Sequence, residues 1–328
     1  MTLRRRPFVA TAFTGGLAGV LAAPALRAQP AFPNRPVRLI VAFAAGGNSD
    51  TMARLIQPRM SEFLGVPVVV ENRAGAAGAL AAGPVVQAPA DGHTLLFDAA
   101  SFVIANFVQR NLPFDYETAF APVGSVADVP YILAVGARTG IRDMAGYLDT
   151  ARLSQDGMVY GSPGVGNTGH LAGVLLAHRA QLRMEHVPYR GGAEVARDLA
   201  AGTLPSGYLS AGSLRPVLEA GRARAIALTS GERRGGIEGL PTIAESGFPG
   251  FDLTSWNAVF CRAGTPDDAR LRLEGALDYA TSDPEVRSRL EGIGAVPIPT
   301  DPDGLGARVV RERALVRELI RDTGLSLG

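Results

Sequence analysis

The stretch YGSPGVGNTGH, Tyr160 to His170, decides how this chain is to be read. Inside it, Gly164-Val165-Gly166-Asn167-Thr168-Gly169 satisfies the pattern G-x-G-x-x-G. The compact run MVYGS (158–162) precedes it and reads as a strand. The apolar spacing of HLAGVLLAHRA predicts a helix over 168–180 just after it. Strand, glycine-rich turn and helix start together make an anion cradle. Glycine takes positive φ and lets a ligand approach the backbone. The first N–H groups of a helix have no intrahelical partner and, with the macrodipole, attract negative charge. A phosphate and a carboxylate meet these demands equally, so the turn alone leaves both open.

Two further places have the same form: FAAGGNSD (43–50) after the buried β-branched run VRLIVAF (37–43), and YRGGA (189–193) after MEHVPY. A dinucleotide-binding unit needs an acidic residue about 20 positions on, at a strand end, to hold the ribose. The available acid, Glu185, comes 16 residues after Gly169 but at the start of a strand. The motif also lies mid-chain rather than in a first βαβ unit.

Around these turns strands and helices alternate throughout, which makes the class α/β. The helix after Asp50 carries Met52, Leu55, Ile56, Met60 and Phe63 on one side. Ser49 or Asp50 can cap it, and Pro58 is expected to kink it. VPVVVEN (66–72), ADGHTLLFDAA and APVGSVADVPYILAVGA supply further strands, the last read as one or two. A helix near 142–153, the helix GAEVARDLAAG closed by Gly202, the pair SLRPVLEAG and RARAIALTS, the strand SWNAVFC and a charged helix at 305–323 complete the chain. No tandem repeat is present.

The N-terminus is read separately. Arg4, Arg5 and Arg6, a weakly apolar glycine-containing run and small residues ending at Ala28 form an export signal over 1–28, with Arg5-Arg6-Pro7-Phe8-Val9 resembling a twin-arginine signal and Sec export as the alternative. Cleavage removes four Arg and no acid, taking the formal charge from +1 to −3. A basic nucleic-acid binder is thereby excluded. The one cysteine, Cys261, excludes an internal disulfide and reads as a buried thiol. His93, His170, His178 and His186 show no metal-ligand spacing, and no nucleophile elbow or P-loop occurs, so neither a catalytic residue, a metal nor a cofactor is assigned. His170 caps or lines a helix start, or is an internally satisfied histidine.

Taken in order, FPNRPVRLIVAFAAGGNSDTMAR, LGVPVVVENRAGAAG, APADGHTLLF, YGSPGVGNTGHLAG, HVPYRGGAEVARDL, LPTIAESGFPGFDLTSW and RAGTP resemble the substrate-binding proteins of the tripartite tricarboxylate transporter, the Bug or TctC-like family. The likeness covers essentially the whole mature chain. It implies a two-domain Venus-flytrap fold, residues 29–133 plus 256–328 forming one domain and 134–255 the other, with crossovers near 133 and 255. It implies a periplasmic, monomeric, non-enzymatic protein that binds a di- or tricarboxylate, an acidic amino acid or an aromatic acid, and hands it to two integral-membrane transporter subunits or to a sensor kinase. Carried over residue by residue, the first-domain site is Phe43, Ala45, Gly46, Gly47, Asn48 and Asp50 with Ser101. The second-domain site is Ser162, Gly164, Asn167, Thr168, His170, Tyr189, Arg190 and Gly191. Gly46 and Gly47 are expected to act through backbone N–H, and Ser162, Asn167 and Thr168 as side-chain donors. Asn48 is expected to tune specificity and Arg190 to pair with a second carboxylate or lie in a surface salt bridge. Two departures stand out: Gly202-Thr203-Leu204-Pro205 where the family carries G-Q-V-D, which is expected to alter the following strand, and Arg262 where the family often has Pro. The competing reading is an exported NAD-dependent α/β enzyme.

Overall fold

In a computed structural model, the described residues are Thr2 and 32–109, 111–235, 237–298, 301–325 and 327. Thr2 apart, the export signal read over 1–28 lies outside them. The elements run β1 (Val37–Val41), α1 (Asn48–Leu64), β2 (Val68–Asn72), α2 (Ala79–Gln87), β3 (Thr94–Ala99), α3 (Ser101–Val108), β4 (Phe120–Gly136), α4 (Met144–Leu153), β5 (Met158–Ser162), α5 (Thr168–Ala180), β6 (Met184–Pro188), α6 (Gly192–Ala201), β7 (Ser206–Ser210), α7 (Ala211–Glu219), β8 (Ala223–Leu228), β9 (Thr254–Arg262), α8 (Asp267–Ser282), α9 (Pro284–Gly292) and α10 (Pro302–Thr323).

The strands follow the order β2-β1-β3-β9-β4-β7-β5-β6, with β8 also paired to β4. β1, β2 and β3 are parallel, as are β5, β6 and β7, so each set needs helical crossovers. The stretch read as one or two strands is a single 17-residue strand, β4. From Phe120 to Pro130 it pairs antiparallel with β9; from Tyr131 to Val135 it pairs with β7 and, from Ile132, with β8. Register shifts at Pro122/Gly124 and Ser125/Ala127 let it bend on the way.

Both faces of the β1/β3/β9 region are covered, which is why these strands are continuous apolar runs. One face packs Met52, Ile56 and Met60 of α1 and Leu273 and Leu277 of α8. The other packs Ala82, Val85, Phe102 and Val309. Pro58 does not break α1, which is assigned unbroken through it. Pro58 is exposed, so the Arg54 carbonyl that loses its partner lies on the solvent side. Gly65 (φ 73°) ends the helix in the left-handed region. Cys261 is buried and free.

The strand after Pro205 is regular rather than altered. Pro205 sits just before β7, where its carbonyl accepts from Gly136 N–H at 3.0 Å and its missing N–H costs no ladder bond.

Where β4 changes partners, α10 clasps it. Arg308 donates to Asp128 Oδ1 (2.6 Å), to Thr254 Oγ1 (2.6 Å) and to Glu312 Oε1 (2.7 Å). Thr254 Oγ1 donates on to Asp128 Oδ2 (3.1 Å), and Trp256 Nε1 to Glu312 Oε2 (2.8 Å). Asp128 on β4 faces Trp256 on β9 in register, so one guanidinium ties both strands to α10. Removing one member of a largely buried ionic network leaves the others uncompensated, a cost of about 3–5 kcal/mol. Arg308→Ala is expected to lose stability of that order in denaturant melts, while Arg321→Ala, whose ion pair with Asp322 is solvent-screened, leaves the midpoint essentially unchanged.

Candidate functional site

The β1–α1 turn is built from the inside. Gly46 takes φ 80°, and its N–H donates to Asp50 Oδ2 at 2.8 Å. Asp50 is 3% exposed, and its carboxylate also receives Arg54 Nε (3.0 Å) and Asn72 Nδ2 (2.8 Å). Asn72 Nδ2 lies 3.1 Å from Phe43 O as well, tying β2 to the turn. Burial works to raise the Asp50 pKa, but the bonds from Arg54, Gly46 and Asn72 outweigh it and hold the carboxyl below its usual range. Gly47, not Ser49 or Asp50, is the N-cap, and it has no side-chain cap. Its own N–H goes to Ala44 O at 3.3 Å.

These bonds correct part of the sequence expectation. The N–H groups of Gly46 and Gly47 are spent within the turn, and Asp50 serves as its internal anchor. The donors left without a partner among the described residues are the next three amides, Asn48, Ser49 and Asp50, as the geometry of a helix start requires. Residues 44–48 are exposed.

The β5–α5 turn repeats the plan with different side chains. Gly164 (φ 113°) and Gly166 (φ 75°) set the path. Asn167 is the N-cap: its Oδ1 accepts from His170 N–H at 3.0 Å, and its Nδ2 donates to Gly164 O at 2.7 Å. Ser162 is fully buried; its Oγ lies 3.0 Å from Gly164 O and 2.8 Å from His186 Nε2. His170 Nδ1 accepts from Gly166 N–H at 2.9 Å, and the ring stacks on His186 with centroids 3.9 Å apart. An acceptor Nδ1 places the imidazole hydrogen on Nε2. Burial pushes His170 down to about 4, and burial together with His170 beside it pushes His186 down to about 3, so both rings stay neutral.

The Ser162 hydroxyl, the Asn167 amide and His170 Nδ1 thus have their bonds within or behind the turn, because a buried polar group must find a partner. Of the roles the sequence left open, His170 lines the helix start, with Nδ1 satisfied from within the turn. Thr168 and Gly169 hold the first two amides of α5, with no partner among the described residues. A Cβ at Gly169 would lie 2.9 Å from Tyr208 O, so glycine is needed there for packing against β7. At the third turn Tyr189 N–H donates to Ser162 O at 2.9 Å, joining it to the second. Tyr189 OH donates to Asp198 Oδ2 (3.0 Å), Gly191 caps α6, and Arg190 is exposed.

Helix α3 packs on β9 and reaches the second turn. Phe102 stacks on Phe260 of β9 with centroids 4.0 Å apart. One turn along α3 from Ser101, Ile104 meets the second turn: a Cβ at Gly166 would lie 2.8 Å from Ile104 Cδ1. Ser101 Oγ donates to Asp98 Oδ1 at 2.7 Å, which also accepts Ala99 N–H at 2.7 Å. Asp98 is fully buried, its Oδ2 has no partner among the described residues, and burial pushes its carboxyl up to about 7.

The sequence reading missed Ser49, Asn72, Asp98, His186 and Asn257. Asn257 on β9 is 2% exposed and donates Nδ2 to Ser49 Oγ at 2.9 Å. Only Asn72 carried a signal, a polar residue ending an apolar strand; the others need tertiary contacts. Glu185 is exposed near the start of β6, in register with Val159, at the end of the sheet opposite the turn after Ser162. It therefore lies away from where a dinucleotide ribose would sit.

Residues 52–325 match the model of the tripartite tricarboxylate transporter family receptor, and the chain belongs to that family. A protein of Pseudomonas sp. (strain P51), named as a UPF0065 protein in the tcbD-tcbE intergenic region, is 38% identical over 85% of this chain and 84% of its own length. The solved structure of Rpa4515 from R. palustris with adipate is 33% identical, with a TM-score of 0.77 over 90% of this chain and 99% of that one. The structure of MatC from Rhodopseudomonas palustris with bound malate is 28% identical, with a TM-score of 0.73 over 88% of this chain and all of that one. The mixed α/β fold is thus that of periplasmic binding proteins, and the family is one of solute-binding receptors.

Asp98 gives a test of the site's electrostatics. Its folded pKa, about 7, lies above the ordinary carboxyl value, so the folded state holds a proton that the unfolded state gives up. This group's contribution is most favourable below the ordinary carboxyl pKa and is lost as pH rises toward 7. Asp98→Asn mimics the protonated form. Its melting temperature relative to the native chain is expected to rise from pH 4 to pH 7 and to level off above, as read by calorimetry across that range.

Proposed function

We propose that this chain is a periplasmic binding protein that captures a small organic carboxylate between the helix starts of α1 and α5. Ligand oxygens meet the amides of Asn48 and Ser49 from one side and of Thr168 and Gly169 from the other. Phe43, Ala45, Gly46, Gly47 and Gly164 form the walls. Tyr189, Arg190 and Gly191 stand at the mouth, where Arg190 pairs with a second carboxylate if the ligand has one. In this reading residues 29–133 with 256–328 and residues 134–255 are two lobes that close on the ligand, hinged where β4 changes partners between Pro130 and Tyr131 and where β9 begins at Thr254. The ligand class is a di- or tricarboxylate, an acidic amino acid or an aromatic acid, passed as a monomer's cargo to two membrane subunits of a tripartite transporter.

The observation that carries the reading is the repeated turn. The side chains of Asp50, Ser162 and Asn167 are tied inward, and each turn keeps backbone N–H free at the positive end of a helix. That suits an anion of variable shape. The family and its solved relatives with adipate and malate support a carboxylate over a phosphate. Among the described residues no helix is long and apolar enough to cross a membrane.

A thermal-shift screen over di- and tricarboxylates, acidic amino acids and aromatic acids tests the proposal. A binding acid at a hundredfold excess over Kd is expected to add about 2.7 kcal/mol to the unfolding free energy. Failure of every acid to raise the melting temperature overturns it. Gly47 has ordinary φ, but a Cβ there would lie 3.2 Å from Ala44 O beside the free amides. Gly47→Val is expected to lower affinity at least tenfold by calorimetric titration while the unliganded melting temperature moves by only a few degrees. Unchanged affinity contradicts the site.

A further inference from the structure

Two hydroxyls flank the floor of this site, and the groups behind them fix them in opposite senses. Ala99 on β3 faces Asn257 on β9 in register. Asn257 donates Nδ2 to Ser49 Oγ at 2.9 Å, which leaves the Ser49 hydrogen free to donate outward. Two residues beyond Ala99, Ser101 Oγ gives its hydrogen to Asp98 Oδ1 at 2.7 Å. A hydroxyl has only one hydrogen, so Ser101 can offer nothing but lone pairs to a guest.

Asp98 holds this polarity in either protonation state. Its Oδ1 already accepts Ala99 N–H at 2.7 Å, so a proton on the carboxyl belongs on the other oxygen. That oxygen, Oδ2, is buried beneath Gly78, where an added Cβ would lie 2.9 Å away. Ser101 opens α3 and is half-buried. Its i+3 neighbour on the same face, Ile104, meets Gly166 of the second turn, while Ala99, two residues before it, faces the Asn257 that holds Ser49 of the first; in the proposed site Ser101 therefore stands between the two turns. An ionised carboxylate placed against it brings lone pairs against lone pairs. A hydroxyl or ammonium group placed there makes a hydrogen bond.

We propose that Ser101, positioned by Asp98, is a specificity-determining acceptor, and that this chain selects carboxylates bearing a hydroxyl or ammonium group near the carboxyl over the same carbon skeleton without it. The inference rests on the carboxylate reading above. A site built to bond a ligand donor discriminates strongly against the analogue that lacks it, because the acceptor, covered by the bound ligand, is then left unpaired. The donor-bearing member of a matched pair is expected to bind at least tenfold more tightly.

The test is calorimetric titration with matched sets: succinate, malate and aspartate; glutarate, 2-hydroxyglutarate and glutamate; phenylacetate and mandelate. Ser101→Ala is expected to bring the members of each bound set to within about twofold of one another, and Asp98→Ala, which frees the Ser101 hydrogen to turn outward, to narrow the ratio as well. Circular dichroism confirms that each variant is folded. If the plain acids bind as tightly as their donor-bearing partners, or the ratio survives in Ser101→Ala, the acceptor role is overturned while the carboxylate reading stands. If no member of any set binds, the acceptor role is overturned, and if no acid of the thermal-shift screen binds either, the carboxylate reading falls with it.

Discussion

A helix begins with amide hydrogens that nothing inside the helix can satisfy, and the fold depends on what is done with them at α1 and α5. At α4, α9 and α10 side chains cover them: Asp143, Asp283 and Asp301 accept from first-turn amides, whereas α2, α3, α6, α7 and α8 begin without a side-chain cap. At α1 the cap is Gly47, which has no side chain, and Asp50 reaches back to Gly46 instead of covering the helix amides. At α5 Asn167 satisfies His170 N–H and leaves Thr168 and Gly169 alone. Both starts lie at the carboxyl ends of parallel strands, where an α/β sheet offers its ligand crevice.

Keeping such amides available requires a rigid turn, because a loose one would fold back onto its own donors. Rigidity comes from behind. Asp50, Arg54 and Asn72 brace the first turn, and Ser162, His170 and His186 brace the second. Neutral imidazoles suit the second task, since His170 must accept from Gly166 N–H. The two turns belong to opposite ends of the sheet, and β4 runs from one set of strands to the other. The Arg308 clasp fixes α10 to that passage at Asp128 and Thr254. The same segment that joins the two strand sets is therefore stiffened on one side by a largely buried ion network.

The periodic parts of this architecture were legible in the sequence. MVYGS and TGHLAGVLLAHRA gave β5 and α5 at their observed positions, and VRLIVAF gave β1 with two residues too many at its end, since a covered strand is an uninterrupted apolar run and a half-covered helix repeats every three to four residues. Glycines marked the turns, because positive φ at Gly46, Gly164 and Gly166 leaves few alternatives. Pro58 and Pro205 misled, the first because its orphaned carbonyl lies on the solvent face, the second because it precedes a strand rather than interrupting it. The roles of polar residues were harder to read. Ser162, Asn167 and His170 stand in the glycine-rich motif, yet the bonds of Ser162, Asn167 and His170 Nδ1 run inward, while Asn257 and Asp98, far from that motif in sequence, reach the candidate site through strand register. Local pattern carries no information about such pairings.

The central claim is that backbone amides from both helix starts share one carboxylate. The most direct measurement is a ¹⁵N–¹H correlation titration with an acid that raises the melting temperature. The claim requires the amide resonances of Asn48, Ser49, Thr168 and Gly169 to move and saturate together at one ligand concentration. Saturable shifts confined to one of the two helix starts, or centred on the cavity of about 590 Å³ beside His178, Arg183 and Thr323, contradict it.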